Sequence, residues 1–331
     1  MKPMIVLGFG RSGTTWLADV ISKLAGGLVL FEPLHPSVTD RSKKMSYRRV
    51  LTDDDSTWLA SYIQSVLSKR HKRLWLMRNH VPVAIDKIDQ NFYHYLWREC
   101  SIAGFKDIRL NFTIPWLAKH DFGTLLFVVR DPRAVVASIL SRPNFWEFGW
   151  PGTYDLIIGN ILSELALTAH PAMKYAELAR SAEQDFERIT ILWALTHAIA
   201  LEDCAQYDVP VVRYEELYAQ PFHTVRKIMQ DCDLAPKPIH PSYIFSPSLT
   251  TRRTFHGIYS IDKKVKRNDF SFFWDQILNP QQCSVIEKII CDFGLEDQLT
   301  TSSDCSSAWQ PAPRMEIEKA PQDAVPHLRH G

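Results

Sequence analysis

The sequence lacks several features that would mark a specialised class of protein. Its 38 lysine and arginine residues are balanced by 37 aspartate and glutamate residues, so the net charge is only +1. A protein built to bind duplex nucleic acid usually carries a basic excess, and we therefore predict no nucleic-acid partner. Only 13 of the 331 residues are glycine and no unit repeats along the chain, which excludes fibrous and solenoid architectures.

Long apolar runs and paired cysteines are also lacking. The stretches 156–167 and 189–201 are interrupted by polar residues and are shorter than the roughly 18 residues that a membrane span needs. The apolar run 4–7 leads directly into a glycine-rich turn, unlike a signal peptide. The six cysteines include no pair at the spacing of a zinc knuckle, so we predict no metal site. The expectation is a soluble, cytoplasmic protein, and nothing in the sequence indicates its oligomeric state.

What the sequence does contain is an alternation of apolar runs and amphipathic stretches. Strands are predicted over 3–7, 28–31, 124–129 and 209–213, with weaker candidates at 74–77 and 105–110. Helices are predicted over 14–24, 57–68, 131–141, 182–207, 221–232 and 280–293. Strands that alternate with helices favour an α/β domain with a parallel central sheet.

The first predicted strand ends in a glycine-rich turn, residues 8–15, which reads Gly-Phe-Gly-Arg-Ser-Gly-Thr-Thr. Between a strand and a helix, backbone N–H groups and the helix N-terminus converge on an anion. The glycine spacing matches a Walker A loop, but Thr14 occupies the lysine position. A nucleoside triphosphatase uses that lysine, together with magnesium, on the β- and γ-phosphates. Its absence disfavours ATP chemistry, and the strong cation of the turn is instead Arg11.

Residues 11–17, Arg-Ser-Gly-Thr-Thr-Trp-Leu, resemble the 5′-phosphosulfate loop of sulfotransferases that use 3′-phosphoadenosine 5′-phosphosulfate (PAPS). The initial arginine is more similar to the carbohydrate and bacterial branches than to the cytosolic branch, which usually has lysine there. The resemblance implies that Arg11 stabilises the leaving phosphate and that no metal ion is required. The donor-binding residues that it implies in this loop are Arg11, Ser12, Gly13, Thr14, Thr15 and Trp16.

A second string, at residues 127–138, resembles the 3′-phosphate signature of the same family. Arg130 ends a buried strand and Ser138 follows two helical turns later, so a guanidinium fork and a hydroxyl can reach one phosphate. Two softer matches extend the resemblance. Tyr214 lies in a segment whose tyrosine is near the adenine in the family, and the basic loop 250–268, with Arg252 and Arg253, is where the family closes over the 3′-phosphate. The Arg-Lys-Gly string of the cytosolic branch is missing, so the donor-binding cation of this loop stays open.

Sulfuryl transfer to an alcohol needs a general base near the acceptor hydroxyl. Glu32, in Phe-Glu-Pro-Leu, resembles the glutamate base of the carbohydrate and bacterial branches. His80 resembles, more loosely, the histidine base of the cytosolic branch, but it lies 50 residues before Arg130, farther than that pattern places it. The segment around Lys106, rather than the one around His80, is a candidate for the strand that precedes the base in the cytosolic branch. We therefore favour Glu32 over His80.

The resemblance implies a P-loop-like, three-layer α/β/α domain with a central parallel sheet and helical insertions. We expect it to cover residues 1–300, followed by a flexible tail over 301–331 that is rich in serine and proline. The implied reaction moves a sulfuryl group from PAPS to a hydroxyl-bearing acceptor, for which the Glu-Pro segment favours a carbohydrate. A small hydroxylated metabolite is the alternative acceptor. A P-loop kinase that uses ATP and a non-catalytic nucleotide-binding module are the rival functions.

Overall fold

The computed structural model describes residues 2–36, 38–49, 52–68, 75–78, 81–84, 101–141, 153–233 and 273–299. Seven strands form one sheet in the order β4-β3-β2-β5-β1-β6-β7. Their bounds are β1 Met4–Gly8, β2 Leu28–Phe31, β3 Trp75–Arg78, β4 Val81–Ala84, β5 Ile102–Lys106, β6 Thr124–Val129 and β7 Val211–Arg213. The five strands β2, β5, β1, β6 and β7 pair in parallel, which confirms the predicted α/β fold. Strand β3 confirms the weaker candidate at 74–77, but strand β4 and the antiparallel edge that the two strands form were not predicted.

The α-helices connect these strands and cover the sheet. In the described residues they are α1 Thr14–Ala25, α2 Asp40–Met45, α3 Asp53–Leu67, α4 Ile114–His120, α5 Pro132–Leu140, α6 Thr153–Leu167, α7 Ala176–Arg180, α8 Asp185–Gln206, α9 Tyr214–Ala219, α10 Pro221–Asp231 and α11 Pro280–Asp292. Helix α3 begins earlier than predicted because the Thr52 side chain caps it by accepting the N–H of Asp55. No helix in the described residues is both long and apolar enough to span a bilayer.

Helices pack on both faces of the sheet, and this gives the predicted three layers. Side chains alternate along β1, so Met4 and Val6 pack in one core with helices α1 and α10. Ile5 and Leu7 point to the opposite face and pack in a larger core that includes Trp193 of α8. The central strands β1 and β6 are buried on both faces, which explains why they read as almost uninterrupted apolar runs.

The predicted strand over 105–110 is wrong in its bounds. Strand β5 ends at Lys106, and Asp107 then turns the chain by accepting the backbone N–H of Arg109 at 2.9 Å. A 3₁₀ turn at Asn111–Thr113 follows and leads into α4. The alternation of charged and apolar residues over 106–110 imitates a strand, but the aspartate carboxylate competes with the sheet for backbone donors.

Three predictions concern parts of the chain outside the described residues. These are the base candidate His80, the donor-binding candidates Arg252 and Arg253 with the rest of the basic loop, and the tail over 301–331. The boundary between domain and tail at residue 300 therefore stays a prediction.

Candidate active site

The carboxyl ends of the five parallel strands lie side by side at one edge of the sheet, where open α/β sheets bind their ligands. Glu32 follows β2, Lys106 ends β5, the turn 8–15 follows β1, Arg130 follows β6 and Tyr214 follows β7. Neighbouring strands are about 4.8 Å apart, so the sheet order sets these candidates in one row. Residues far apart in sequence are thus brought to a single edge.

The turn after β1 has the geometry of an anion-binding loop. Ser12 donates its N–H to the carbonyl of Phe9 at 3.2 Å, and Arg11 and Gly13 have φ angles of 69° and 88°. The Ser12 hydroxyl is fully buried and has no hydrogen-bond partner within the described part of the chain. An unsatisfied buried polar group costs about 1–3 kcal/mol, and an anion oxygen in the turn would remove that cost. The residues therefore fit a bound phosphate or sulfate group.

Three side chains from the two predicted phosphate motifs meet at the ends of β1 and β6. Arg11 donates from Nε to the Ser138 hydroxyl at 2.9 Å. Arg130 donates from Nη1 to the backbone carbonyl of Arg11 at 3.0 Å. The turn and the strand-end motif, 119 residues apart from Arg11 to Arg130, thus form one connected cationic site.

Tyr214 closes the side of this site next to Arg130. The Arg130 guanidinium carbon lies 4.5 Å from the centroid of the Tyr214 ring, a cation–π contact. Trp16 meets the same ring edge-on, with centroids 6.5 Å apart. A Cβ on Gly13 would stand 2.3 Å from the Tyr214 ring, so only glycine lets the turn approach the tyrosine this closely.

The end of β6 is fixed by acidic side chains behind Arg130. Glu215 accepts the backbone N–H of Asp131 at 3.0 Å, and burial raises the pKa of the Glu215 carboxyl. Asp131 caps α5 by accepting the backbone N–H of Arg133. Its other carboxylate oxygen pairs with the Arg133 guanidinium at 2.7 Å. These bonds position the strand end from which Arg130 extends.

Glu32 sits in a buried ionic cluster at the ends of β2 and β5. Its oxygens pair with Lys106 and, at 2.6 Å, with Arg109. Burial alone would raise the pKa of Glu32, but the two cations outweigh it and hold that pKa at about 2. Glu32 also has a φ of 43°, a left-handed conformation that is unusual for this residue and is often found at functional sites. The carboxylate is therefore ionised and held in one place.

The sequence did not indicate how the segment 107–111 supports the site. Asp107 accepts the N–H of Leu34 at 2.8 Å, which fixes the Glu-Pro loop, and burial raises the pKa of Asp107 to about 6. Arg109 pairs with Glu32, and Asn111 bonds to Gly8 at the start of the turn. The only available signal was a set of polar residues that alternate with apolar ones directly after a strand, and it was interpreted as part of the strand.

Comparisons with known proteins gave matches among solved structures alone. No family model matches the chain, and no curated protein sequence matches it. The sulfotransferase domain from the curacin biosynthetic pathway is 14% identical with a TM-score of 0.42, and the match covers 90% of this chain and 99% of that domain.

Two further structures are similar to the chain. The sulfotransferase domain of the Synechococcus PCC 7002 olefin synthase is 16% identical with a TM-score of 0.36, and the match covers 86% of this chain and 93% of that one. A sulfotransferase from Alicyclobacillus acidocaldarius is 11% identical with a TM-score of 0.37, with 92% and 98% covered.

Proposed function

We propose that the protein is a sulfotransferase that moves a sulfuryl group from PAPS to a hydroxyl of an acceptor. The observation that carries this proposal is the meeting of Arg11, Ser138 and Arg130 at the ends of β1 and β6. A donor with two phosphate ends on one ribose needs two anion sites close together. In this proposal the turn, with its buried Ser12 hydroxyl, takes the 5′-phosphosulfate end, and Arg130 and Ser138, which both contact Arg11, take the 3′-phosphate end.

The chemistry follows from this arrangement. The acceptor oxygen attacks sulfur, an S–O bond to the acceptor forms, the S–O bond to the 5′-phosphate breaks, and 3′-phosphoadenosine 5′-phosphate leaves. Negative charge grows on the leaving phosphate, where the N–H groups of the turn and the Arg11 guanidinium stabilise it. The lysine that a Walker A loop uses for a γ-phosphate is replaced by Thr14, which supports this donor over ATP.

Glu32 is the base in this proposal, and His80 is the alternative. A carboxylate with a pKa of about 2 is ionised at neutral pH but is a weak proton acceptor. The attacking hydroxyl becomes strongly acidic once the new S–O bond is forming, and at that stage Glu32 can take the proton. The mechanism is therefore an in-line transfer with late deprotonation.

The acceptor in this proposal is a carbohydrate hydroxyl, because the Glu-Pro segment resembles that branch. A small hydroxylated metabolite is the second candidate, since the same base and donor site would serve either acceptor. A panel of sugars and small alcohols, each tested for turnover with PAPS, separates the two. Product from sugars alone supports the first, and product from small alcohols alone supports the second.

Calorimetry tests the donor assignment. Wild-type protein is titrated with 3′-phosphoadenosine 5′-phosphate in the presence of a chelator and, separately, with ATP and Mg²⁺. We expect tight, metal-independent binding of the bisphosphate and weak binding of ATP. Arg130→Lys keeps the charge but loses the bidentate fork, so affinity should fall about tenfold or more.

The matched control is Arg213→Lys, another arginine that ends a strand. The Arg213 guanidinium donates to the carbonyl of Asp297 and to the side chain of Gln298, and its substitution should leave the affinity within about twofold of wild type. Preference for ATP with Mg²⁺ would contradict the proposal in favour of a kinase. Tight bisphosphate binding without turnover on any acceptor would indicate the non-catalytic binding module.

A further inference from the structure

We propose that Asn111 is a positioning residue for the anion-binding turn. Its side-chain amide makes the hydrogen bonds to Gly8, the last residue of β1, that a neighbouring strand would otherwise make. This inference deepens the proposed function and rests on it for the identity of the ligand. Asn111 is fully buried and lies 103 residues after Gly8, with which it exchanges two hydrogen bonds.

The strand register explains why the amide is needed there. Strand β1 pairs with β5 through Met4, Ile5 and Val6, and β5 ends at Lys106 opposite Val6. Continued by two residues, that register would place Ile108 beside Gly8, but the chain has already turned away. The Gly8 N–H instead donates to Asn111 Oδ1 at 3.0 Å, and the Gly8 carbonyl accepts from Nδ2 at 3.3 Å. The side chain thus takes over both hydrogen bonds of a strand neighbour.

The orientation of the amide is determined by its partners. Nδ2 faces two carbonyl oxygens, those of Gly8 and of Ile108 at 3.0 Å, while Oδ1 faces one N–H. A flipped amide would direct its oxygen at two acceptors, which no hydrogen bond can satisfy. Asparagine is therefore the residue that fits this position, and aspartate of the same shape does not.

Gly8 is the point at which the strand becomes the turn, and it has little room to move. Its φ is 144°, and a Cβ there would meet the Val128 carbonyl at 2.5 Å. A shift of Gly8 would therefore displace the N–H groups that follow in the turn. Small displacements of positioned groups lower both binding and rate strongly.

The same segment also orients the proposed base. Lys106 and Arg109 hold the Glu32 carboxylate, and Asn111 holds Gly8, so the six successive positions 106–111 connect the base to the donor turn. The 3₁₀ turn that presents Asn111 is closed by Thr113, whose N–H and hydroxyl both donate to the carbonyl of Leu110. Asn111 therefore sets the position of the donor relative to the acceptor side of the site.

The experiment compares Asn111→Asp with Thr113→Val. Aspartate keeps the acceptor for the Gly8 N–H but places a second oxygen against the carbonyls of Gly8 and Ile108. Valine removes a buried hydroxyl two residues away, in the same 3₁₀ turn, without touching Gly8. Both variants lose hydrogen bonding in the core, so each should lower the thermal stability. An affinity loss that exceeds what this stability loss explains is the effect of positioning.

Two readouts are measured at matched stability. Affinity for 3′-phosphoadenosine 5′-phosphate should fall about ten- to a hundredfold in Asn111→Asp and stay within about twofold of wild type in Thr113→Val. Relative to wild type at the same pH, Asn111→Asp should regain affinity as the pH is lowered, because a protonated carboxyl can donate to a carbonyl. Equal affinity losses in the two variants, or wild-type affinity in Asn111→Asp, would overturn the inference.

Amide hydrogen exchange provides a readout that does not depend on the ligand. Without nucleotide, the amides of residues 8–14 should exchange faster in Asn111→Asp than in Thr113→Val, while β6 stays equally protected in both. Unchanged exchange in the turn would refute the positioning role. If wild-type protein bound no bisphosphate but the exchange result held, the proposed function would fail and the role of Asn111 would stand.

Discussion

Replacing Glu32 with glutamine tests the ionic cluster and the base in one variant. Glutamine keeps the shape and one oxygen acceptor but removes the negative charge between Lys106 and Arg109. Those two side chains are only 3% and 4% exposed, so solvent cannot stabilise the cations that are left. Breaking a buried pair costs about 3–5 kcal/mol. We expect the free energy of unfolding to fall by about 3 kcal/mol, near the lower limit, because one hydrogen bond remains.

Urea denaturation measures this loss, and a double variant tests its cause. In Glu32→Gln/Lys106→Met the uncompensated lysine charge is removed as well. If repulsion and desolvation of that charge destabilise the single variant, the double variant is more stable than Glu32→Gln, with a coupling of about 1–3 kcal/mol. Additive losses in the two single variants would refute the ion pair as the source of the effect.

Turnover provides the second half of the same test. At a temperature where Glu32→Gln is folded, its affinity for 3′-phosphoadenosine 5′-phosphate should stay near the wild-type value, because Arg11, Ser12 and Arg130 are untouched. Its kcat should fall about 10²- to 10⁴-fold, the usual contribution of a general base. Wild-type kcat in the folded variant would refute Glu32 as the base and direct the search to His80.

Three further predictions concern the turn and the pH dependence of stability. Gly13→Ala should lower bisphosphate affinity about tenfold or more by calorimetry, since its Cβ would collide with Tyr214 and its φ of 88° disfavours alanine. Burial raises the pKa of Asp203 from 3.8 to about 6 although Arg49 opposes the shift, so the folded state binds the proton more tightly. The unfolding free energy should therefore fall by about 1–3 kcal/mol as the pH rises from 3.8 to about 6. Asp203→Asn should make the unfolding free energy depend less on pH in this range. Burial lowers the pKa of His197 from 6.5 to about 3, so stability should instead be lost as the pH falls below 6.5, and His197→Phe should reduce that loss. Urea titrations across pH separate the two slopes, and parallel curves for wild type and variant would contradict either one.

The elements that the sequence predicted well are those whose local pattern and tertiary role agree. Strand β6 reads as a buried parallel strand and is one, and the Asp131 cap and Pro132 mark the start of α5 as expected. The sequence also indicated that Arg130 follows a buried strand and that Ser138 lies two helical turns later, but the contacts of both with Arg11 depend on β1 lying beside β6.

The rest depended on contacts between distant segments. The charges of Lys106 and Arg109 are visible in the sequence, but their pairing with Glu32 depends on β2 lying beside β5, which no local pattern encodes. Asn111 acts through the backbone of Gly8. A hydrogen bond to backbone does not require a particular residue type in the partner, so the sequence does not reveal it. The end of β5 was misplaced for the same reason, since Asp107 competes with the sheet for backbone donors.

We propose that the strand-end site transfers a sulfuryl group without a metal. The most direct measurement incubates wild-type protein with sulfate-labelled PAPS, a panel of sugars and small alcohols, and a chelator, and follows labelled product and bisphosphate together. We predict stoichiometric formation of sulfated acceptor and 3′-phosphoadenosine 5′-phosphate, with a rate that falls sharply in Arg11→Ala. No labelled product from any acceptor, or equal rates in wild type and Arg11→Ala, would contradict the claim.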